Sequence, residues 1–202
     1  MSERGTRRRH RAAVARRLVR WRTHPALVAS AARDRLDTLT WQEIETLPAW
    51  CALGDEALAG LVPLVGAVSL LPAVRRSVRG DVLRRLVALL GERRLHALRT
   101  RPYRATAESV ALAAPDALAA QLAARGVRAL LATLDDPALA VLAATVLLSG
   151  STSAPATSGT LGQTAGDDPI ETATVTIACA LQREVAVGAG TRAPSLAGER
   201  VA

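Results

Sequence analysis

The sequence predicts an all-α fold: a compact bundle of about six to eight short helices followed by a disordered C-terminal tail. Two observations predict the bundle. Apolar residues recur with the 3.6-residue period of a helix between Arg11 and Leu148. Residues that favour helix starts, Thr40, Asp81 and Asp136, precede three of these stretches. A third observation predicts the tail, because Ser, Thr, Gly and Ala dominate after Ser149.

These patterns divide the chain into a basic N-terminal segment (1–32), a helical core domain (33–149) and a low-complexity tail (150–202). We expect residues 1–11 to be disordered, and Arg11–Arg22 to form an amphipathic helix. The apolar side of that helix carries Val14, Leu18 and Trp21, and its other side carries Arg16, Arg17, Arg20 and Arg22. The helix can dock on the core, and a membrane-surface or RNA-binding role remains open.

The first half of the core domain contains a capping box and a strongly apolar helix. Thr40 and Glu43 have the spacing of a capping box, and Pro48 limits the helix that follows. Asp55 is a candidate N-cap for the next helix, which is apolar nearly all round from Ala57 to Val65. We therefore expect this helix at the centre of the core.

The sequence of the second half of the core domain predicts a series of helices separated by glycine and proline. Asp81 is a candidate N-cap, and Gly91 closes or bends the helix that follows. Three further helices are expected at 107–113, 116–125 (stopped by Gly126) and 127–134. Asp136-Pro137 then starts a last helix, which ends near Leu148.

The tail, residues 150–202, has few large apolar residues. Glu171–Ala180 alternates as a strand does, but a single strand has no partner in this chain. We therefore expect most of the tail to be disordered, and the product of a frame-shifted GC-rich gene would have a similar composition.

Composition points to a binding protein and away from an enzyme. The chain has 26 arginines, no lysine, no phenylalanine and a net charge of +8, which suits nucleic acid, acidic lipid or an acidic protein surface. Phosphate-binding, metalloprotease and serine-hydrolase motifs do not occur, and the three histidines stand apart. Cys51 and Cys179 lack the spacing of a zinc site, and we expect no catalytic residues, no metal and no cofactor.

The arginines concentrate in one region. Ten of the 26 lie between Arg75 and Arg104, within an apolar helical stretch that predicts a leucine face and an arginine face. This face is either a solvent-exposed surface or a contact for an acidic partner, and nucleic acid is a weaker alternative. The candidate partner-binding residues are Trp50, Arg75, Arg76, Arg79, Arg84 and Arg85. We expect Arg75, Arg76 and Arg79 to be exposed.

The same region carries a family resemblance. The residues concerned are Trp50, Leu53–Leu58, Gly66, Leu70–Arg76, Gly80, Leu83, Leu89–Gly91, Ala114–Asp116 and Ala124–Gly126. Their pattern resembles the SctK family, the YscK-, MxiK- and OrgA-like cytosolic accessory proteins of bacterial type III secretion systems. The resemblance covers roughly Arg33 to Leu148.

This resemblance implies a helical, non-enzymatic adaptor of the cytoplasmic sorting platform. Such an adaptor would link an SctD-like inner-membrane ring protein to an SctQ-like pod protein, in the bacterial cytoplasm beside the inner membrane. It implies no role for residues 151–202. The alternative is a basic nucleic-acid-binding protein that uses the arginine-rich N-terminal region.

Overall fold

A computed structural model describes residues 3–24, 31–100, 110–149 and 169–190, and the all-α prediction is confirmed. The described residues form ten α-helices and a short 3-10 helix, Ala49–Ala52. The helices are α1 (Glu3–Arg22), α2 (Ala31–Thr38), α3 (Trp41–Thr46), α4 (Asp55–Ser69), α5 (Leu71–Arg76), α6 (Gly80–Leu90), α7 (Glu92–Thr100), α8 (Pro115–Leu131), α9 (Pro137–Ser149) and α10 (Pro169–Gly190). None of them is long and apolar enough to cross a membrane.

Helix α4 lies at the centre, as its apolar sequence predicts, and packs most extensively against α8. Two glycines allow their backbones to approach closely. A Cβ atom at Gly126 would lie 1.9 Å from the carbonyl oxygen of Val62, and one at Gly66 would lie 2.0 Å from that of Leu122. The prediction that Gly126 stops a helix is therefore wrong, because α8 continues through it to Leu131.

Helix α1 closes one side of the core with the face that the sequence predicts. Val14, Leu18 and Trp21 are buried, and α1 packs against α3 and the 3-10 helix. The helix begins at Glu3, so within the described residues the chain is helical where residues up to Arg11 were expected to be disordered.

Two of the predicted helix caps are confirmed. Thr40 and Glu43 form the capping box, in which the two residues bond each other's backbone amides. Asp136 accepts hydrogen bonds from the amides of Ala138 (2.9 Å) and Leu139 (3.3 Å) at the start of α9.

Two other caps are wrong. The N-cap of α4 is Gly54, and that of α6 is Arg79. Asp55 and Asp81 instead lie in the first turns of their helices, where a carboxylate is still favourable beside the positive end of the helix dipole. Gly91 ends α6 with a φ of 83°, a conformation that favours glycine.

The connection before α8 also differs from the prediction. Residues 110–114 are not helical, and residues 107–109 of the predicted helix lie outside the described part of the chain. Gln121 holds this connection, because its side chain accepts from the amide of Ala113 and donates to the carbonyl of Ala111, both at 2.9 Å.

Part of the low-complexity tail forms a packed helix. Helix α10 contacts α4, α7 and α8, whereas the sequence suggested a strand or disorder for Glu171–Ala180. A helix satisfies its backbone hydrogen bonds without a neighbouring strand, and it places Val175, Ala178 and Leu181 on one buried face. Residues 150–168 and 191–202 lie outside the described ranges.

Candidate partner-binding surface

The predicted arginine face lies on α5, on α6 and on the residues between them. Helix α6 buries Val82, Leu86 and Leu90, which recur every four residues, and so turns Arg84 and Arg85 to solvent. Arg76, at the end of α5, is also exposed. We define the arginine surface as Arg76, Val78, Arg79, Arg84, Arg85 and Val87.

Two valines of this surface were not selected from the sequence. Val78 is 85% exposed and Val87 is 40% exposed, and both belong to the few large apolar side chains that are exposed in the described residues. Val87 lies one helical turn after Arg84, so an apolar group stands beside a guanidinium. The signal was available, because Val87 departs from the four-residue spacing of the buried residues of α6.

Arg75 differs from the other candidate arginines because it has a structural contact. Its Nε donates to the carbonyl oxygen of Leu98 at 3.1 Å, and its side chain is half-buried. This bond joins the end of α5 to the last turn of α7, where a cation is favourable beside the unpaired carbonyls. The expectation that Arg75 is exposed is therefore wrong.

Arg79 is exposed but partly neutralised. Its Nη2 lies 2.7 Å from Oδ2 of Asp81, and Oδ1 of Asp81 accepts from the amide of Val82 at 2.9 Å. The bond from Arg79, with that amide, lowers the pKa of Asp81. The positive charge of the arginine surface therefore comes chiefly from Arg76, Arg84 and Arg85.

Trp50 lies in the core and not on a partner-binding surface. It is fully buried on the 3-10 helix, and its Nε1 donates to Oγ1 of Thr133 at 2.9 Å. The rings of Trp50 and Trp21 are tilted by 41° with centroids 6.4 Å apart, within the distance range of aromatic pairs. Trp50 therefore joins α1 to the end of α8.

The prediction that Arg17 lies opposite the apolar side of α1 is wrong. Arg17 is only 6% exposed, and its Nη2 lies 2.7 Å from Oδ1 of Asp55. Burial lowers the pKa of Arg17 against the opposing effect of Asp55. Arg20 reaches the other oxygen of Asp55 at 2.9 Å. The sequence spacing indicates that Arg17 is on the buried side, because it follows Val14 by three residues and precedes Trp21 by four, and residues at these spacings share one face of a helix.

A second cluster of charges lines a cavity of about 440 Å³ between α2, α3 and the start of α9. Arg35 bridges Glu43 of the capping box and the N-cap Asp136, with Nε 2.6 Å from Oδ2 of Asp136. The bonds from Arg35 and Thr40 lower the pKa of Glu43 to about 2. Burial alone would raise the pKa of Asp136. The hydrogen bonds from Arg35 and from the first amides of α9 lower it by more, so the pKa of Asp136 is lowered overall.

The hydroxyl groups in the cavity are already bonded within the protein. Thr46 donates to the carbonyl of Glu43 at 2.9 Å, and Thr133 donates to that of Leu130 at 2.7 Å while it accepts from Trp50. Because the charged groups also satisfy one another, this cluster is a brace between three helices, and its geometry does not prepare a nucleophile or a general base.

The cysteines are also unsuited to nucleophilic chemistry. Burial raises the pKa of the Cys51 thiol to about 12, and it raises the pKa of Cys179 as well. The reactive form of cysteine is the thiolate, which these environments disfavour. Among the described residues, no group of three or more His, Cys, Asp and Glu side chains could hold a metal ion.

The described geometry therefore offers a basic surface with two exposed valines, and this surface suits binding. Comparisons of the chain with protein-family models, with characterised proteins and with solved structures each found no match.

Proposed function

We propose that this chain is a non-enzymatic adaptor of the cytoplasmic sorting platform of a bacterial type III secretion system. It would link an SctD-like inner-membrane ring protein to an SctQ-like pod protein. The arginine surface would contact an acidic region of one of these partners. The proposal rests on the resemblance described above and on the exposure of this surface.

The observation that carries the proposal is that Val78 and Val87 are exposed in the same stretch of chain as the exposed Arg76, Arg84 and Arg85. Interfaces between proteins combine an apolar centre with a charged, water-accessible rim. Arginine also contributes to such contacts through its planar group and its apolar stem. A surface with both features fits an acidic protein partner better than a purely electrostatic ligand.

The test measures binding of the full chain to purified SctQ-like and SctD-like proteins from the organism that encodes it. After nuclease treatment, we expect binding to persist at about 0.3 M salt, where surface charges are strongly screened. Changing Arg76, Arg84 and Arg85 to Glu should weaken binding to one partner by about tenfold or more, equal to about 1.4 kcal/mol. Arg75 is left unchanged because it is bonded to Leu98.

A matched control changes Arg8, Arg9 and Arg16 to Glu. These residues are exposed on α1, so the variant has the same net charge as the test variant. We expect it to bind the protein partner normally. Failure of the unmodified chain to bind either partner would refute the secretion-platform proposal, and equal losses in both variants would show that only net charge matters.

A nucleic-acid-binding role is the second candidate, and the N-terminal turns of α1 favour it. Helix α1 presents Arg4, Arg8 and Arg9 to solvent. Nucleic-acid affinity falls steeply with salt because bound counterions are released from the phosphates. If nucleic acid binds the chain, if raised salt abolishes that binding, and if the α1 variant alone loses it, this second function is the better explanation.

A further inference from the structure

Helix α10 occupies a groove formed by α4, α7 and α8. Among residues 173–183 of α10, whose burial the structure describes, the buried ones recur at helical spacing and are Thr174, Val175, Ala178 and Leu181. Val175 and Leu181 are the larger apolar side chains among them. This is the pattern of an amphipathic helix that lies in an apolar groove, a common mode of peptide recognition.

Two side chains at the edge of this groove are imperfectly bonded. Nε2 of Gln182 donates to the carbonyl of Ala57 at 3.3 Å, but its Oε1 is buried without a hydrogen-bond partner. Nη1 of Arg94 donates to the carbonyl of Leu90 at 3.3 Å, but its Nε is buried without one. Three buried side-chain atoms of the described residues lack a partner, and two of them are here.

Both side chains lie over Gly60 of α4. A Cβ atom at Gly60 would be 3.5 Å from Nε2 of Gln182 and 3.9 Å from Nη1 of Arg94. Gln182 and Arg94 are therefore neighbours at the junction of α4, α7 and α10. Buried polar atoms without partners cost free energy, so α10 does not satisfy this end of the groove.

A helix with a carboxylate at this position would fit better. A carboxylate in place of the Gln182 amide would offer two acceptor oxygens to the guanidinium of Arg94. A bond between a guanidinium and a carboxylate is stronger than one between neutral groups. The exposed Arg93 on the same helix adds positive charge nearby.

We propose that this groove is the binding site for an amphipathic helix of an acidic protein partner, and that α10 is an internal substitute that the partner displaces. The partner helix would carry apolar residues at the spacing of Val175, Ala178 and Leu181, followed by a glutamate that faces Arg94. This proposal does not depend on the secretion-platform function.

The test uses a fluorescein-labelled peptide of residues 169–190 and the same peptide with Gln182→Glu. Each is titrated with the full chain, and binding is followed by fluorescence anisotropy. The Leu181→Asp chain should release its own α10, because the new charge cannot stay in the groove. We expect this variant to bind the peptide at least tenfold more tightly than the unmodified chain.

The matched control is Ala180→Asp, which adds the same charge on the exposed side of α10. It should bind the peptide as weakly as the unmodified chain. The Gln182→Glu peptide should bind the Leu181→Asp chain at least tenfold more tightly than the plain peptide does, and Arg94→Gln should abolish that difference.

A second measurement applies even where Leu181→Asp unfolds the protein. In the full chain, Gln182→Glu should slow hydrogen exchange in α10, and the Arg94→Gln background should remove the effect. No slowing would overturn the assigned carboxylate. The proposal that the groove binds a separate helix would be overturned if the Ala180→Asp and Leu181→Asp variants bound the peptide equally, or if neither bound it. If α10 exchanged between two copies of the chain, the occupant of the groove would be a second chain and not an acidic partner.

Discussion

Two glycines set the distance between the two central helices. At Gly66 and Gly126 the backbones of α4 and α8 leave no room for a Cβ atom. The sequence shows both glycines, but glycine also ends helices, and Gly126 was interpreted in that way. A glycine that ends a helix and a glycine that allows two helices to approach differ only in what packs against them. The local sequence around the glycine does not contain that information.

Gly126→Ala should therefore destabilise the protein. Alanine favours a helix by about 1 kcal/mol over glycine. Its Cβ atom, however, would lie 1.9 Å from the oxygen of Val62, so α4 and α8 must move apart. We expect a net loss of about 1–3 kcal/mol in the free energy of unfolding, measured by urea denaturation.

Gly60→Ala is the control for this effect. Gly60 lies within α4, and its nearest neighbour would be Nε2 of Gln182 at 3.5 Å, an ordinary contact. The substitution should be neutral or should stabilise the protein by up to about 1 kcal/mol. Comparable losses in the two variants would show that close approach of the helices is not the cause.

At the scale of helices, two of the four local caps could be predicted, and the bonds between helices could not. Thr40 and Glu43 are three residues apart, so their capping box can be identified from the sequence. Arg35 and Asp136 are 101 residues apart, and nothing in the local pattern pairs them. The same limit explains why the Arg17–Asp55 pair was missed.

The Arg35 brace should make stability depend on acid pH. The pKa of Glu43 is about 2 in the folded protein, below its ordinary value of 4.5, and the pKa of Asp136 is also lowered. A carboxyl whose pKa is lower in the folded state stabilises the protein fully above its unfolded-state pKa. This contribution should be lost as the pH falls from about 4.5 towards 2.

Urea denaturation across this pH range measures the effect. Glu43→Gln cannot ionise, so its free energy of unfolding should fall less steeply than that of the unmodified chain below pH 4.5. Glu56→Gln, an exposed residue in the first turn of α4, serves as the control. Identical pH profiles for the unmodified chain and Glu43→Gln would contradict the assigned role of Arg35.

For the whole molecule, the sequence predicts the fold class and the central position of α4, because apolar periodicity determines which faces are buried. It does not predict α10, whose stripe is made mostly of small residues that resemble a low-complexity segment. It also predicts the arginine face, but it does not decide between burial of Trp50 in the core and a place for it on a binding surface. A tryptophan has the same sequence signature in a core as on a binding surface.

The net charge of the whole molecule leads to a last prediction. A charge of +8 repels itself, and the exposed Arg84 and Arg85 are adjacent in α6, with the exposed Arg76 at the end of the preceding helix. Raising NaCl from about 0.01 M to 0.3 M shortens the screening length from about 30 Å to below 10 Å. We expect the Tm of the unmodified chain to rise by a few degrees, as followed by circular dichroism.

The three Arg→Glu changes at the arginine surface should reduce this rise more than the same number of changes on α1 at Arg8, Arg9 and Arg16. The two variants have equal net charge, so a difference between them measures repulsion that is specific to the arginine surface. A Tm that falls as salt is added would mean that attraction between opposite charges contributes more to stability than repulsion between arginines removes. Ion pairs such as Arg17–Asp55 and Arg35–Asp136 would then outweigh the repulsion, since salt weakens attraction between exposed charges as well.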